Sequence, residues 1–456
     1  MDIYDLLITP IYLAIILFFA HKFTIKRRRK EKVYKYFLPG LLAKMFGAVS
    51  LGLIYFFYYD GGDTVNYHYT ACALVDVLLN KPEDFFYLYF GSPKYAEFAL
   101  INSNYSFTYW VNDTYAYFVS KCFVPFVLVC FKSYMATAIL VATVCYLGIW
   151  RLFLVFVNEF PKLEKQFTWS ILYIPSVVFW GSGIMKDSLS LSAACFYVHG
   201  FYWFFTQRRF QTKYLVFLFF GAYMLLSIKP YILFALLPGS IFWFIAMRVT
   251  KIKNAFLKVM LAPTLVTVGI VVCVYALQKL GDSLGQYSVE KVIKTASGAQ
   301  QDLKQSYYGG NTFDIGDYEP TVSGLVSVSH KAIFAALFRP TIFDVRNVVM
   351  ALSAIENTFI LGFCIYLLIK LKFFRFFGLI TQHPLVMFSF AFSIFFAFSV
   401  GVSISNFGAL VRLKIPCIPF FLSSMVILNY MLNESSYKRR MKQKVNLVEG
   451  KVVVSG

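Results

Sequence analysis

Charge is scarce in this chain. Only 14% of its residues are Asp, Glu, Lys or Arg, against 59% hydrophobic, and the mean hydropathy is +0.64; soluble domains run near a quarter charged. That deficit excludes an ordinary soluble domain, and with it any count of domains from length. Acids are scarcer still, with 23 Asp and Glu against 43 Lys and Arg for a net charge of +20. The excess does not point to nucleic acid, because the basic residues cluster in short segments between apolar runs, as cytoplasmic loops do. Cysteine offers no metal centre. The eight thiols (72, 122, 130, 145, 195, 273, 364, 417) are scattered without Cys-x-x-Cys or Cys/His spacing, which reads as buried free thiols. Gly/Ser linkers, heptads and fixed-period repeats are missing too, so nothing divides the chain into modules. No small-residue cleavage site follows the first apolar run, and that run is expected to be retained.

What is present is aromatic and apolar: 20% of residues are Phe, Trp or Tyr, set in repeated runs of about 20 residues, long enough to cross a hydrocarbon core. The expected fold is all-α, a polytopic membrane bundle forming one transmembrane domain over 1–456. The spans are expected at 6–21, 38–58, 134–157, 167–184, 188–206, 214–227, 230–248, 259–279, 348–370, 385–403 and 409–432, about eleven in all. The segment "KFTIKRRRKEKVYKY" carries eight Lys/Arg against one Glu and is placed in the cytoplasm. The loop 59–114 has seven acids and two lysines, which places it outside. The later basic connectors, including "QRRFQTK" and the tail "YKRRMKQK", fall inside if 134–157 runs inward. That requires 115–131, with its Lys and Pro, to be a re-entrant or interfacial helix. The N-terminus is then outside, the tail 433–456 cytoplasmic, and two large external loops remain, 59–133 and 280–347. The second reads as a polar helix followed by the turn-rich "YYGGNTFDIGDYEPT".

This topology brings five polar stretches to the outer surface. They are Asp60-Gly-Gly-Asp63 with Asn66, Tyr67 and His68; Lys186-Asp187; Lys229 in "SIKPY"; Arg339, Asp344, Arg346 and Asn347 in "FRPTIFDVRN"; and Asn406, Arg412 and Lys414 in "SISNFGALVRLKIP". Each alone has a bland reading as a helix end, a local ion pair or a snorkelling side chain. Ionisable groups near membrane depth are costly and face partners or a water-filled cavity, so five at one level imply a shared cavity. Arg forks suit phosphate oxygens and Lys acts as a point charge. A lipid-linked sugar presents such a phosphate at the membrane surface. Its transfer needs a carboxylate to take the acceptor proton and cations to stabilise the leaving phosphate. Asp63, then Asp60, are the candidate carboxylates. Lys186, Asp187, Lys229, Arg339, Arg346, Arg412, Tyr67, His68 and Asn406 are the candidate substrate and phosphate binders. The Gly pair permits a tight turn, and Tyr67 and Tyr69 could stack on a sugar face. No cofactor is assigned. Two acids could contribute to a divalent-metal site, although oxygen-ligand sites need more ligands than the sequence supplies.

The acidic "DGGDT" at the start of the first large external loop, with interfacial helices after it, resembles the GT-C superfamily of membrane glycosyltransferases. "PSVVFWGSGIMKDSL", "FRPTIFDVRNVVMALSAIEN" and "NFGALVRLKIPCIPF" are similar to stretches of bacterial membrane proteins of that type. The resemblance implies a polyprenyl-phosphate-linked sugar donor, a glycan or lipid acceptor, a bacterial inner membrane and a catalytic base at Asp63 or Asp60. Two departures stand out: the acids are separated by two glycines, where many members have adjacent acids, and an extra helix precedes the motif. Gly62-Asp63-Thr64-x-x-Tyr67 also resembles an early motif of polysaccharide polymerases of the Wzy and EpsG type, which implies transfer of a whole glycan from a lipid diphosphate. A lipid or glycan transporter is the main non-enzyme reading, and a structural scaffold a further one.

Overall fold

The structure is a computed structural model that describes residues 3–91, 110–249 and 312–434, with isolated residues 94, 298 and 302. The described residues are helical and form no β-strand; a single bridge pairs Thr312 with Asn406. In chain order the main helices are α1 (Ile3–Arg28), α2 (Phe37–Phe57), α3 (Asp63–Asn80), α4 (Pro82–Phe90), α5 (Thr114–Val129), α6 (Tyr134–Glu159), α7 (Pro175–Trp180), α8 (Lys186–Phe201), α9 (Thr212–Ile228) and α10 (Pro230–Val249). Then come α11 (Val322–Phe338), α12 (Val348–Leu371), α13 (Phe373–Gln382), α14 (Pro384–Ser403), α15 (Phe407–Leu413) and α16 (Ile418–Glu434).

Among the described residues, six helices are long and apolar enough to cross a membrane: Asp5–Arg28, Lys32–Phe57, Tyr134–Glu159, Pro230–Arg248, Met350–Leu371 and Pro384–Ser403. These coincide with six of the eleven expected spans. Of the other five, 259–279 lies outside the described residues. The run 167–184 is not one helix: a π-helical turn at Thr168–Leu172 is followed by the six-residue α7. Pro175 lacks the N–H that would continue the first helix, and Gly181 and Gly183 end the second. The run 188–206 is helical, but Ser188, Ser190 and Ser192 lower its hydropathy, and protein surrounds it on nearly every side. The run 214–227 forms a helix of 17 residues. The run 409–432 is a pair, α15 and α16, bent by 67°; Pro416, in the break, cannot donate to the helix before it.

The expected re-entrant element 115–131 is the 16-residue α5, with Pro125 inside it. The expected loop 280–347 holds a helix that the sequence reading missed. This is α11, 17 residues, packed on α14. The polar part of that loop, 280–311, lies almost wholly outside the described residues, as do most of 92–109 and the tail 435–456.

The core falls into two apolar clusters. The larger joins α2, α6, α8 and α10 to the C-terminal helices. The smaller surrounds α3, α5 and the first half of α6, with Tyr67, Phe123 and Tyr134 at its centre. In lipid, helices associate by close packing rather than by hydrophobic expulsion, and small residues at the contacts matter accordingly. At Gly47 of α2 an added Cβ would lie 2.0 Å from the Val178 carbonyl of α7, so only glycine lets these two helices touch.

Candidate functional site

Three chain breaks meet at one end of the bundle. The first follows α2. Asp60, Gly61 and Gly62 take positive φ in succession (53°, 126° and 116°), reversing the chain so that α3 begins at Asp63. A side chain at Gly62 would press on the Tyr55 ring at 3.0 Å, so both the turn and its packing require glycine. The second break, 181–185, puts Lys186 and Asp187 in the first turn of α8. The third joins α9 to α10 at Lys229, directly before Pro230. Arg412 arrives from the last turn of α15.

Helix polarity explains why these residue types suit these places. A helix N-terminus carries partial positive charge and a C-terminus partial negative charge. Asp63 and Asp187 each stand in the first turn of a helix, and Arg412 in a last turn. Arg412 bridges the two acids: Nε donates to Asp187 Oδ2 at 2.7 Å and Nη2 to Asp63 Oδ2 at 2.5 Å. Lys229 donates to Asp187 Oδ1. Asp187 is completely buried and Lys229 nearly so. Burial alone would raise the Asp187 carboxyl, but Lys229 and Arg412 outweigh it and hold that group well below the usual carboxylate range.

Among the described residues, two groups at this site lack a partner. Lys186 makes no ion pair or hydrogen bond there; its ammonium lies 6.0 Å from the centre of the Trp110 ring. Burial and the nearby Lys229 lower its pKa. The Tyr67 ring stacks on Trp110 at 5.0 Å, and its hydroxyl is buried without a partner. Asp63 and Arg412 are among that phenol's closest charged neighbours. A buried orphan hydroxyl costs about 1–3 kcal/mol and calls for a guest or a water. Asp63 itself is partly exposed, and only its Oδ2 is engaged. Counting Asp63, Asp187, Arg412, Lys229 and Lys186, the ionised cluster carries one net positive charge, which suits an anion.

The remaining sequence candidates separate. Asp60 is exposed on the turn and joins none of these ion pairs. His68 is buried against Tyr134 and Cys72, where burial depresses its pKa to about 4, so that it packs there as a neutral ring. Tyr67 cannot stack on a sugar, because its ring is buried and Trp110 covers it. Arg339 is engaged by Asp344, through Nε at 3.2 Å and Nη2 at 2.5 Å, and Phe407 and Phe313 lie against its guanidinium. Burial raises the Asp344 carboxyl, but Arg339 and the Thr341 N–H and hydroxyl bring it below the ordinary range. Asn406 caps α15, accepting from Gly408 and Ala409, and Asn347 caps α12. Arg346 is exposed beside that cap.

Sequence reasoning missed the residues that hold the second break in place. Glu356 of α12 accepts the Ser176 N–H at 2.7 Å and hydroxyl at 2.6 Å, at the N-terminal end of α7. Lys44 of α2 donates to the Val177 and Gly181 carbonyls, both at 2.8 Å, at the other end. A negative charge thus sits at the positive end of α7 and a positive charge at its negative end. Nearby, Lys414 donates to Asn357 Oδ1 at 2.7 Å and to the Arg339 carbonyl at 3.0 Å, which fixes the bend between α15 and α16. Lys44 and Glu356 each stand alone in an apolar run, which is the available signal: a charge at membrane depth needs a partner.

Among the described residues no three His, Cys, Asp or Glu side chains group to hold a metal. No family model matches the chain, and no curated protein or solved structure matches it significantly.

Proposed function

We propose that this chain is a membrane glycosyltransferase that moves a sugar from a polyprenyl-phosphate-linked donor to a hydroxyl acceptor. The observation that supports it most is the Asp63–Arg412–Asp187–Lys229 bridge with the unpaired Lys186 and the orphan Tyr67 hydroxyl beside it. The free oxygen of Asp63 takes the proton of the acceptor hydroxyl. The acceptor oxygen bonds to the sugar's anomeric carbon, and the bond from that carbon to the phosphate oxygen breaks. The lipid phosphate leaves with the electron pair, stabilised by Lys186 and by the Tyr67 hydroxyl as donor. Asp187 stays ionised and holds Arg412 and Lys229 in place. Proton transfer of this kind contributes about 10²–10⁴-fold in rate. The distribution of basic segments along the chain supports a site at the outer face, with the N-terminus outside and the C-terminus in the cytoplasm, and the resemblance to membrane glycosyltransferases supports a bacterial inner membrane. Within the same chemistry, a polymerase of the Wzy type would transfer a whole glycan from a lipid diphosphate.

One observation favours a second reading. Charged residues at helix breaks are how transporters build substrate sites, and here Asp187, Lys229 and Arg412 lie at or beside three such breaks. A transporter of an anionic lipid-linked glycan would use the same cations without a proton acceptor. The deciding experiment reconstitutes the purified chain in proteoliposomes with a polyprenyl-phosphate sugar and an acceptor. Mass spectrometry then looks for transferred sugar, while accessibility of the donor to an external probe reports movement across the bilayer. New glycosidic product supports the transferase; donor movement without product supports the transporter.

A further inference from the structure

The helices that carry the site at one end carry a second charged group at the other. From Tyr134, whose hydroxyl meets Thr64 beside the site, Arg151 lies roughly 26 Å along α6 at 1.5 Å per residue. It is partly buried where α6 faces α8 and α9. Its Nη1 lies 3.5 Å from His199 Nε2, and the other ring nitrogen of His199 is 3.3 Å from the Arg151 carbonyl. That arrangement makes His199 a neutral imidazole that donates to the carbonyl and accepts from the guanidinium. The Phe217 ring lies under the guanidinium at 4.9 Å.

Two further cations stand at the rim. Arg27, in the last turn of α1, lies over Tyr34 at 6.0 Å, and Lys213, at the start of α9, over Tyr214 at 4.9 Å. Arg27, Tyr34 and Tyr214 are electrostatic neighbours of Arg151, and Lys213 is one of His199. None of the three cations forms an ion pair within 4 Å among the described residues. The rim positions are exposed, whereas Tyr34, Tyr214 and His199 form a buried floor. Packing therefore holds a group of cations together with aromatic rings, and none of them is paired with an acid among the described residues. Like charges so placed repel, and the arrangement is favourable when an anion sits among them.

We propose that Arg151, Arg27 and Lys213 form a binding site for the phosphate of an anionic phospholipid headgroup in the leaflet opposite the Asp63 site. The Arg151 fork supplies paired donors to the phosphate oxygens, Arg27 and Lys213 supply charge at the headgroup level, and the exposed apolar residues from the middle of α1 onward (Ile15, Phe18, Phe19) lie along the path of the acyl chains. A lipid is favoured over free phosphate because the site opens beside a helix only 6% of whose apolar window is buried in protein. The inference stands independently of the proposed reaction.

The test is native mass spectrometry of the purified full-length chain, titrated with phosphatidylglycerol, with phosphatidylcholine and with inorganic phosphate. The wild type is expected to retain phosphatidylglycerol at least tenfold more strongly than phosphatidylcholine. Arg151→Gln should abolish that preference, and Lys213→Gln, an exposed change that spares the fold, should weaken it several-fold. Millimolar inorganic phosphate should leave the lipid bound. Equal retention of phosphatidylglycerol by wild type and both variants overturns the site; displacement of the lipid by inorganic phosphate overturns the lipid as its occupant.

Discussion

The two ends of this bundle handle buried charge in opposite ways. At the Asp63 end, two acids and two cations neutralise one another through short, directed bonds, and one lysine is left over. At the Arg151 end, cations gather on aromatic rings and, among the described residues, pair with no acid. A compensated cluster is pre-organised: its groups are held in place before any substrate arrives, and a single unpaired cation is free to act. An uncompensated cluster is incomplete, and its geometry makes sense with a permanent anion. The first arrangement suits turnover and the second suits anchoring.

Removing charge should therefore have opposite consequences at the two ends. Asp187→Ala strands Lys229 and Arg412 in a buried setting, and breaking a buried pair in this way costs about 3–5 kcal/mol. Lys213→Gln in lipid-free detergent should change stability by less than about 0.5 kcal/mol, since it removes an exposed cation that lacks a counter-charge. Thermal unfolding of detergent-purified protein measures both, and equal losses at the two ends would break the contrast.

Lys186 sharpens the comparison through pH. Its pKa is depressed by burial and by Lys229, so without ligand it loses its proton at lower pH than a free lysine does. Anion binding at the Asp63 end should weaken as pH rises through that depressed value. Lys186→Arg, protonated throughout, should move the alkaline limb upward, whereas Lys186→Gln should lower affinity about tenfold and flatten the profile. Binding of a polyprenyl phosphate, followed by tryptophan fluorescence beside Trp110, reads this directly.

The smallest effect is expected at Tyr67. Tyr67→Phe removes a buried hydroxyl with no partner, so the ligand-free protein should be as stable or slightly more so, by up to about 1 kcal/mol. Phosphate-lipid affinity should nevertheless fall a few-fold. A loss of stability would mean that the hydroxyl is already satisfied in the resting protein.

Much of the site was legible in the sequence because charges in an apolar chain are conspicuous. Asp63, Lys186, Asp187, Lys229 and Arg412 each interrupt or border a hydrophobic run, and the structure joins four of them directly. What hydropathy hid was the break itself. Averaging over 167–184 conceals Pro175 and Gly181, so α7 read as part of a span. Lys44 and Glu356 were invisible as a pair because their common partner, α7, lies far from both in sequence. Asn406 read as a binder, yet it sits one position before a helix and serves as its cap, a role that local spacing could have indicated. Helix α11 was missed because its 17 residues, with Ser323, Ser327, Ser329, His330 and Lys331 among the apolar ones, follow a long polar stretch.

The central claim rests on Asp63 as a proton acceptor held by Arg412. The most direct measurement is sugar transfer by purified wild type and Asp63→Asn in proteoliposomes, at matched protein levels and with unfolding midpoints recorded. The account predicts a loss of about 10²–10⁴-fold in rate with the fold retained, because Asp63 is partly exposed and Asn keeps its shape. Full transfer by Asp63→Asn would contradict it and leave the Arg412 bridge a structural brace.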